Sequence, residues 1–147
     1  MGKGIFRIQH SPDALTIILG AHLANIDRVC LLATEFLESR FPHASDQHFA
    51  LNLVLREGLT NAVRHGGRGD PKEEIHCRME HHPPHHLKIT VTDPGPGFDW
   101  ETQRTQKPIP TKESGRGLTI METYFPGYRY NDRGNTLYLE KNLPPDV

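Results

Sequence analysis

Glu57, Asn61 and His65 stand four residues apart within the stretch Leu-Arg-Glu-Gly-Leu-Thr-Asn-Ala-Val-Arg-His-Gly, residues 55–66. On a helix this spacing stacks them turn above turn, drifting about 40° per step. The Glu57 carboxylate is suited to take a proton from an attacking hydroxyl or water, or to hold a metal-bound water. The Asn61 carboxamide offers one carbonyl oxygen, which suits a hard cation such as Mg²⁺ whose other ligands are phosphates and water. His65, at the end of the row, can hydrogen-bond backbone and interact with the helix C-terminal dipole. Taken alone, the three residues also fit a solvated helix flank.

Two further stretches carry chemistry. In Asp93-Pro94-Gly95-Pro96-Gly97-Phe98 a carboxylate, an acceptor only, precedes a glycine loop whose backbone can approach a ligand closely. The same residues also make an ordinary Asp-Pro-Gly turn. In Gly115-Arg116-Gly117-Leu118 two glycines flank the start of a short helical pattern, where free N–H groups and the helix dipole favour an anion. Arg116 either reaches that anion or stays in water.

These residues need a frame. Leu51, Leu55, Gly58, Leu59 and Ala62 form an apolar helical stripe beside the polar row, with Ser45 or Asp46 as expected N-cap and Gly66 as expected C-cap. An earlier helix is predicted over residues 22–40 from Leu23, Ile26, Val29, Cys30, Ala33, Phe36 and Leu37, closing at Phe41-Pro42. Alternation predicts strands at 4–9, 14–19, 73–80 and 86–93, and a hairpin of 127–131 and 136–142 around Asp132-Arg133-Gly134-Asn135. Residues 98–114 are polar and read as a loop, followed by a short helix at 117–125. Helices segregated from such strands predict an α+β two-layer sandwich, a mostly antiparallel mixed sheet covered on one face by helices.

The chain of 147 residues suits one domain over 1–147, and its net charge of −1 gives no footprint of direct nucleic-acid binding. No apolar run is long enough to span a membrane, and the opening residues do not read as a signal peptide. Cys30 and Cys77 lie in apolar-patterned segments and read as reduced core residues, which predicts a cytoplasmic protein. The histidines at 81, 82, 85 and 86 surround Pro83-Pro84 and read as an exposed loop, since no cysteine or carboxylate cluster completes a zinc site.

In order and spacing, the three stretches resemble the N, G1 and G2 boxes of the GHKL, or Bergerat-fold, ATP-binding superfamily, all within about sixty residues. The runs Thr60-Asn61-Ala62-Val63-Arg64-His65-Gly66 and Ser114-Gly115-Arg116-Gly117-Leu118-Thr119-Ile120-Met121-Glu122 look more narrowly like anti-sigma-factor serine kinases of the RsbW/SpoIIAB type. The resemblance implies ATP and Mg²⁺ as cofactors, Glu57 as the catalytic base and Asn61 as the metal ligand. It implies that Asp93 accepts a hydrogen bond from the adenine amine, with Gly95 and Gly97 beside the base and Thr136 near the same network. His65, Lys112, Gly115, Arg116, Gly117 and Leu118 complete the implied nucleotide contacts, and residues 98–114 become a lid over the phosphates. Several such relatives carry an arginine where this chain has Glu113, a departure that bears on phosphoryl transfer more than on nucleotide binding and for which Lys112 or Arg116 could stand in. The implied partners are a STAS-domain anti-anti-sigma factor, a sigma factor and a second copy of the chain. A binding switch with little kinase activity is the alternative. A detached histidine-kinase catalytic domain fits less well, since no phospho-acceptor helix pair is present, and gyrase-, Hsp90- and MutL-type readings fail on length.

Overall fold

The computed structural model describes residues 2–97, 125 and 127–143. Six described strands form one sheet in the order β1-β2-β3-β4-β6-β5: β1 Phe6–Ser11, β2 Ala14–Gly20, β3 Glu74–His82, β4 His86–Thr92, β5 Arg129–Tyr130 and β6 Thr136–Asn142. The sheet was expected to be mostly antiparallel; all five described ladders are. Period-two alternation puts Leu15, Ile17, Leu19, Ile75, Cys77, Met79, Leu87, Ile89, Val91, Leu137 and Leu139 on one buried face. Registers such as Ile17↔Cys77, Cys77↔Val91 and Val91↔Leu137 line these into cross-strand rows.

Two helices cover that face. In α1, Ala24–Arg40, the buried residues Ile26, Val29, Cys30, Ala33, Phe36 and Leu37 follow the helical period. Its one buried polar side chain, Asn25, donates to Lys3 O at 2.8 Å and Gly20 O at 2.9 Å, tying the helix start to the β2 end. The helix ends at Phe41, because the residue before Pro42 is pushed out of the α region. In α2, His48–Asn61, the stripe Leu51, Val54, Leu55, Gly58 and Leu59 packs into the same core. Thr34 Oγ1 receives Asn52 Nδ2 at 2.9 Å, and Asp27 pairs with Arg56 at 2.8 Å, holding the two helices side by side. Cys30 and Cys77 are both free and buried, and burial pushes the Cys77 thiol up to about 12.

Two local expectations fail. Neither Ser45 nor Asp46 caps α2: residues Pro42–Gln47 form a 3₁₀ helix, and α2 follows it from His48 with Gln47 as an uncapped N-cap. Pro42 supplies the reason, since its fixed φ suits the first position of a helical turn and starts one early. Nor is Gly66 the C-cap. Beyond Asn61 the helix widens into a π turn over Ala62–Gly66, and Gly67 closes it by donating to Ala62 O at 2.8 Å. The loop at 98–114 and most of the helix at 117–125 lie outside the described residues, save Phe125, which is buried.

Candidate functional site

The end of α2 carries the polar row. Glu57 and Asn61 are half-buried, and His65 is exposed beyond them. They sit beside a helix end whose apolar stripe is locked into the core, so packing fixes their backbone positions. Gly66 is buried on the same turn, against Asp93.

Asp93 leaves β4 and turns its carboxylate beneath the helix end. A Cβ on Gly66 would lie 2.1 Å from Asp93 Cγ and 2.2 Å from its Oδ1, so only glycine leaves room. Gly95 is equally tight: its Cβ would meet Gly66 Cα at 2.6 Å. Asp93 Oδ1 accepts the Gly95 N–H at 2.8 Å, and the Asp93 N–H donates to Asn135 O at 2.9 Å. Gly97 adopts φ of 84°, a left-handed conformation, with its absent Cβ aimed at Arg133 O. Burial raises the Asp93 carboxyl above its ordinary value of 3.8; the Gly95 N–H and the charges of Arg133 and His65 pull the other way.

A tyrosine joins the two halves. Tyr130, on β5, is buried and hydrogen-bonded to Asn61, while burial pushes its phenol far up. The bond to Asn61 opposes that rise. With its amide nitrogen toward the phenol, the Asn61 carboxamide would keep Oδ1 to accept or to ligate.

The structure therefore brings Asn61, His65, Asp93 and Gly95 into one neighbourhood, with Glu57 one helical turn from Asn61 and Gly97 at the far end of the Asp93 loop. Thr136 is buried at the start of β6, but its hydroxyl donates to Thr92 Oγ1 at 3.3 Å. The register pairs Thr136 with Thr92, one residue out of step with the core row of Leu137 and Val91. Lys112, Gly115, Arg116, Gly117 and Leu118 lie outside the described residues. Tyr130, Asn131, Arg133 and Asn135 join this neighbourhood without having been expected there. Their only signal was the hairpin pattern, with Tyr130 and Asn131 in its first strand and Arg133 and Asn135 in its turn, which says nothing of what the hairpin touches.

The residues present suit an adenine nucleotide. Asp93 holds a half-buried acceptor fixed between Gly66 and Gly95, matching a base that offers an exocyclic amine. Among the described residues no group of three or more His, Cys, Asp or Glu side chains is placed to hold a metal ion. A cation here would depend on Asn61 Oδ1 with phosphate and water, which is the ligand chemistry of Mg²⁺. The exposed loop predicted around the histidines is shorter in the structure: His81 and His82 end β3, His86 begins β4, and only His85 lies between the strands with Pro83-Pro84. His86 contacts Asn142 Oδ1 at 2.9 Å and Glu140 Oε1 at 3.0 Å, and His81 lies edge-on to Phe41 with 4.6 Å between centroids.

Comparison with known proteins adds to this geometry. Residues 19–141 match the family described as "Histidine kinase-like ATPase domain". The anti-sigma F factor of Priestia megaterium is 30% identical over 105 residues, covering 67% of this chain and 71% of that protein. The anti-sigma F factor of Anoxybacillus flavithermus is 31% identical over 107 residues, with the same 67% and 71% coverage. Among solved structures, the mycobacterial sensor histidine kinase MprB superposes with a TM-score of 0.52 at 17% identity, over 82% of this chain and 96% of that one, a likeness of fold. Among the described residues no helix is long and apolar enough to cross a membrane.

Proposed function

Because this chain belongs to the histidine kinase-like ATPase domain family, we propose that it is a Mg·ATP-dependent protein serine/threonine kinase and anti-sigma factor. In this reading it phosphorylates a STAS-domain anti-anti-sigma protein and, in its other state, holds a sigma factor. It acts in the cytoplasm as a homodimer of single-domain chains. The anti-sigma F factor relatives support the partner class. The observation that carries the nucleotide site is the meeting of Gly66 with Asp93, which sets the carboxylate beneath the helix bearing Glu57 and Asn61.

Each residue then has a task. Asp93 accepts the adenine amine, with Gly95 and Gly97 presenting backbone to the base. Lys112, Gly115, Arg116, Gly117 and Leu118 serve the phosphates. Asn61 Oδ1 would be the protein ligand to Mg²⁺, with Tyr130 bonded to the same carboxamide. The ion, when bound, neutralises charge on the β- and γ-phosphates. Glu57 takes the proton of the substrate hydroxyl as its oxygen bonds to the γ-phosphorus. The bond from that phosphorus to the bridging oxygen breaks, and ADP leaves. Positioning and charge neutralisation supply most of the acceleration.

Glu113, standing where several relatives have arginine, favours the alternative of a nucleotide-dependent binding switch with little transfer, since a guanidinium fork suited to the γ-phosphate is missing there. One experiment separates the readings. The protein is incubated with Mg·ATP labelled on the γ-phosphate and STAS-domain proteins of the same genome, beside Glu57→Ala and Asn61→Ala. Serine or threonine labelling by the wild type, lowered about 10²–10⁴-fold in Glu57→Ala with ATP binding retained, supports the kinase. Tight ATP binding without labelling supports the switch. Absence of nucleotide binding defeats both.

A further inference from the structure

β5 has only two residues, so its ladder cannot by itself fix the turn that follows. Side chains do. Asn131 Oδ1 accepts three backbone N–H groups, from Gly134 at 2.9 Å, Asn135 at 3.0 Å and Thr136 at 3.2 Å. Its Nδ2 donates to Asn135 Oδ1 at 2.7 Å. That bond commits the Asn135 carbonyl and turns its amide nitrogen outward, toward the Asp93 loop. There Asn135 Nδ2 donates to Asp93 O at 3.3 Å and Gly95 O at 3.4 Å. Flipping either carboxamide would set donors against donors or oxygens against oxygens, so the contacts fix both orientations. The Asn135 backbone oxygen also accepts the Asp93 N–H. Asp93 is thus held on both its N–H and its C=O by one residue about forty positions away. Arg133 Nη2 adds a bond to Gly95 O at 3.4 Å.

We propose that Asn135, oriented by Asn131, is a positioning residue that fixes the Asp93 carboxylate and thereby sets the preference for adenine over guanine. The inference rests on the reading that Asp93 meets the base. A carboxylate distinguishes adenine's amine from guanine's carbonyl only while it stays in contact with that edge. A carboxylate free to shift admits a water, which can donate or accept and so serves either base.

The test measures binding of Mg·ATP and Mg·GTP to the full chain by calorimetry, for wild type, Asn135→Asp and Asn135→Ser. Asn135→Asp keeps an oxygen for Asn131 but sets a second one against two carbonyls. Asn135→Ser is too short to reach Gly95 and carries the test if the added charge unfolds the hairpin. The ATP-over-GTP preference is expected to fall about tenfold, the scale of one lost hydrogen bond, chiefly through weaker ATP binding. A purely structural role would weaken both nucleotides alike and leave the ratio unchanged. A ratio within about twofold of wild type in a folded variant overturns the inference, as does a wild type without preference. If the wild type prefers ATP and the variants keep that preference, this inference alone fails. If the wild type binds neither nucleotide, the proposed function fails with it.

Discussion

Replacing Gly66 by alanine adds one methyl at the point where α2 meets the Asp93 loop. The new carbon would fall 2.1 Å from Asp93 Cγ, against at least 3.4 Å for ordinary contact. One side must retreat by about 1.3 Å. The helix cannot easily do so, since Ala62 and Val63 on the same turn are in the core. Asp93 must move instead, and its backbone is held by Asn135 while its Oδ1 holds the Gly95 N–H at 2.8 Å. Breaking that charge-assisted bond costs about 1.5–3 kcal/mol. For a chain of this size such a loss lowers Tm by about 4–10 °C. The functional cost should be larger: ATP affinity is expected to fall about 30-fold or more, because the displaced group is the proposed base contact. Differential scanning fluorimetry with and without Mg·ATP reads both effects. A Gly66→Ala protein that melts with the wild type and keeps its ATP-induced shift would refute the steric argument.

Three further outcomes follow from the geometry. Because burial raises the Asp93 carboxyl, the ionised acceptor carries a penalty in the folded chain that is relieved as pH falls through the raised value; ATP affinity should decline over that same fall, from a pH above the ordinary 3.8. Calorimetry of wild type against Asp93→Asn isolates this, since the nucleotide's own titration cancels, and the variant should bind about tenfold or more weakly near neutrality. Tyr130→Phe should leave melting within about 2 °C while lowering the Mg²⁺ dependence of ATP affinity, because the Asn61 carboxamide loses its hydrogen-bond partner. His86 is raised from 6.5, chiefly by its bond to Glu140, and Glu140 is lowered from 4.5, chiefly by His86. The His86 contribution is complete below 6.5 and lost as pH climbs through the raised value, whereas that of Glu140 is complete above 4.5 and lost as pH falls through the lowered one. The pair should therefore couple most between those limits. It is partly exposed, so a double-mutant cycle should find only about 0.5 kcal/mol or less there, and still less at alkaline pH.

Much of this was legible from periodicity. The α2 stripe and the sheet rows follow spacings of 3.6 and two, which burial enforces regardless of what the residues do elsewhere. The boxes at Glu57–His65 and Asp93–Gly97 could be read because glycine and carboxylate types at fixed offsets answer to chemistry. What could not be read is long-range. Ser45 and Asp46 looked like caps locally, but Pro42 had already begun another turn. Gly66 looked like a helix terminator, and its actual duty depends on Asp93, which is remote in sequence. Asn131 looked like a strand end and Asn135 like a turn former, and the contacts of Asn135 with the Asp93 loop follow only once β6 has paired with β4.

The π turn at Ala62–Gly66 has a consequence for how this chain can vary. Each helical residue advances the face by about 100°. Deleting one residue between 62 and 66 would allow an uninterrupted α-helix, a gain by local criteria. It would also change the register between Ala62 and Val63, held in the core, and Gly66, held against Asp93. Secondary-structure regularity and pocket shape thus favour different sequences at this point, and the retained wide turn is the mark of the second preference.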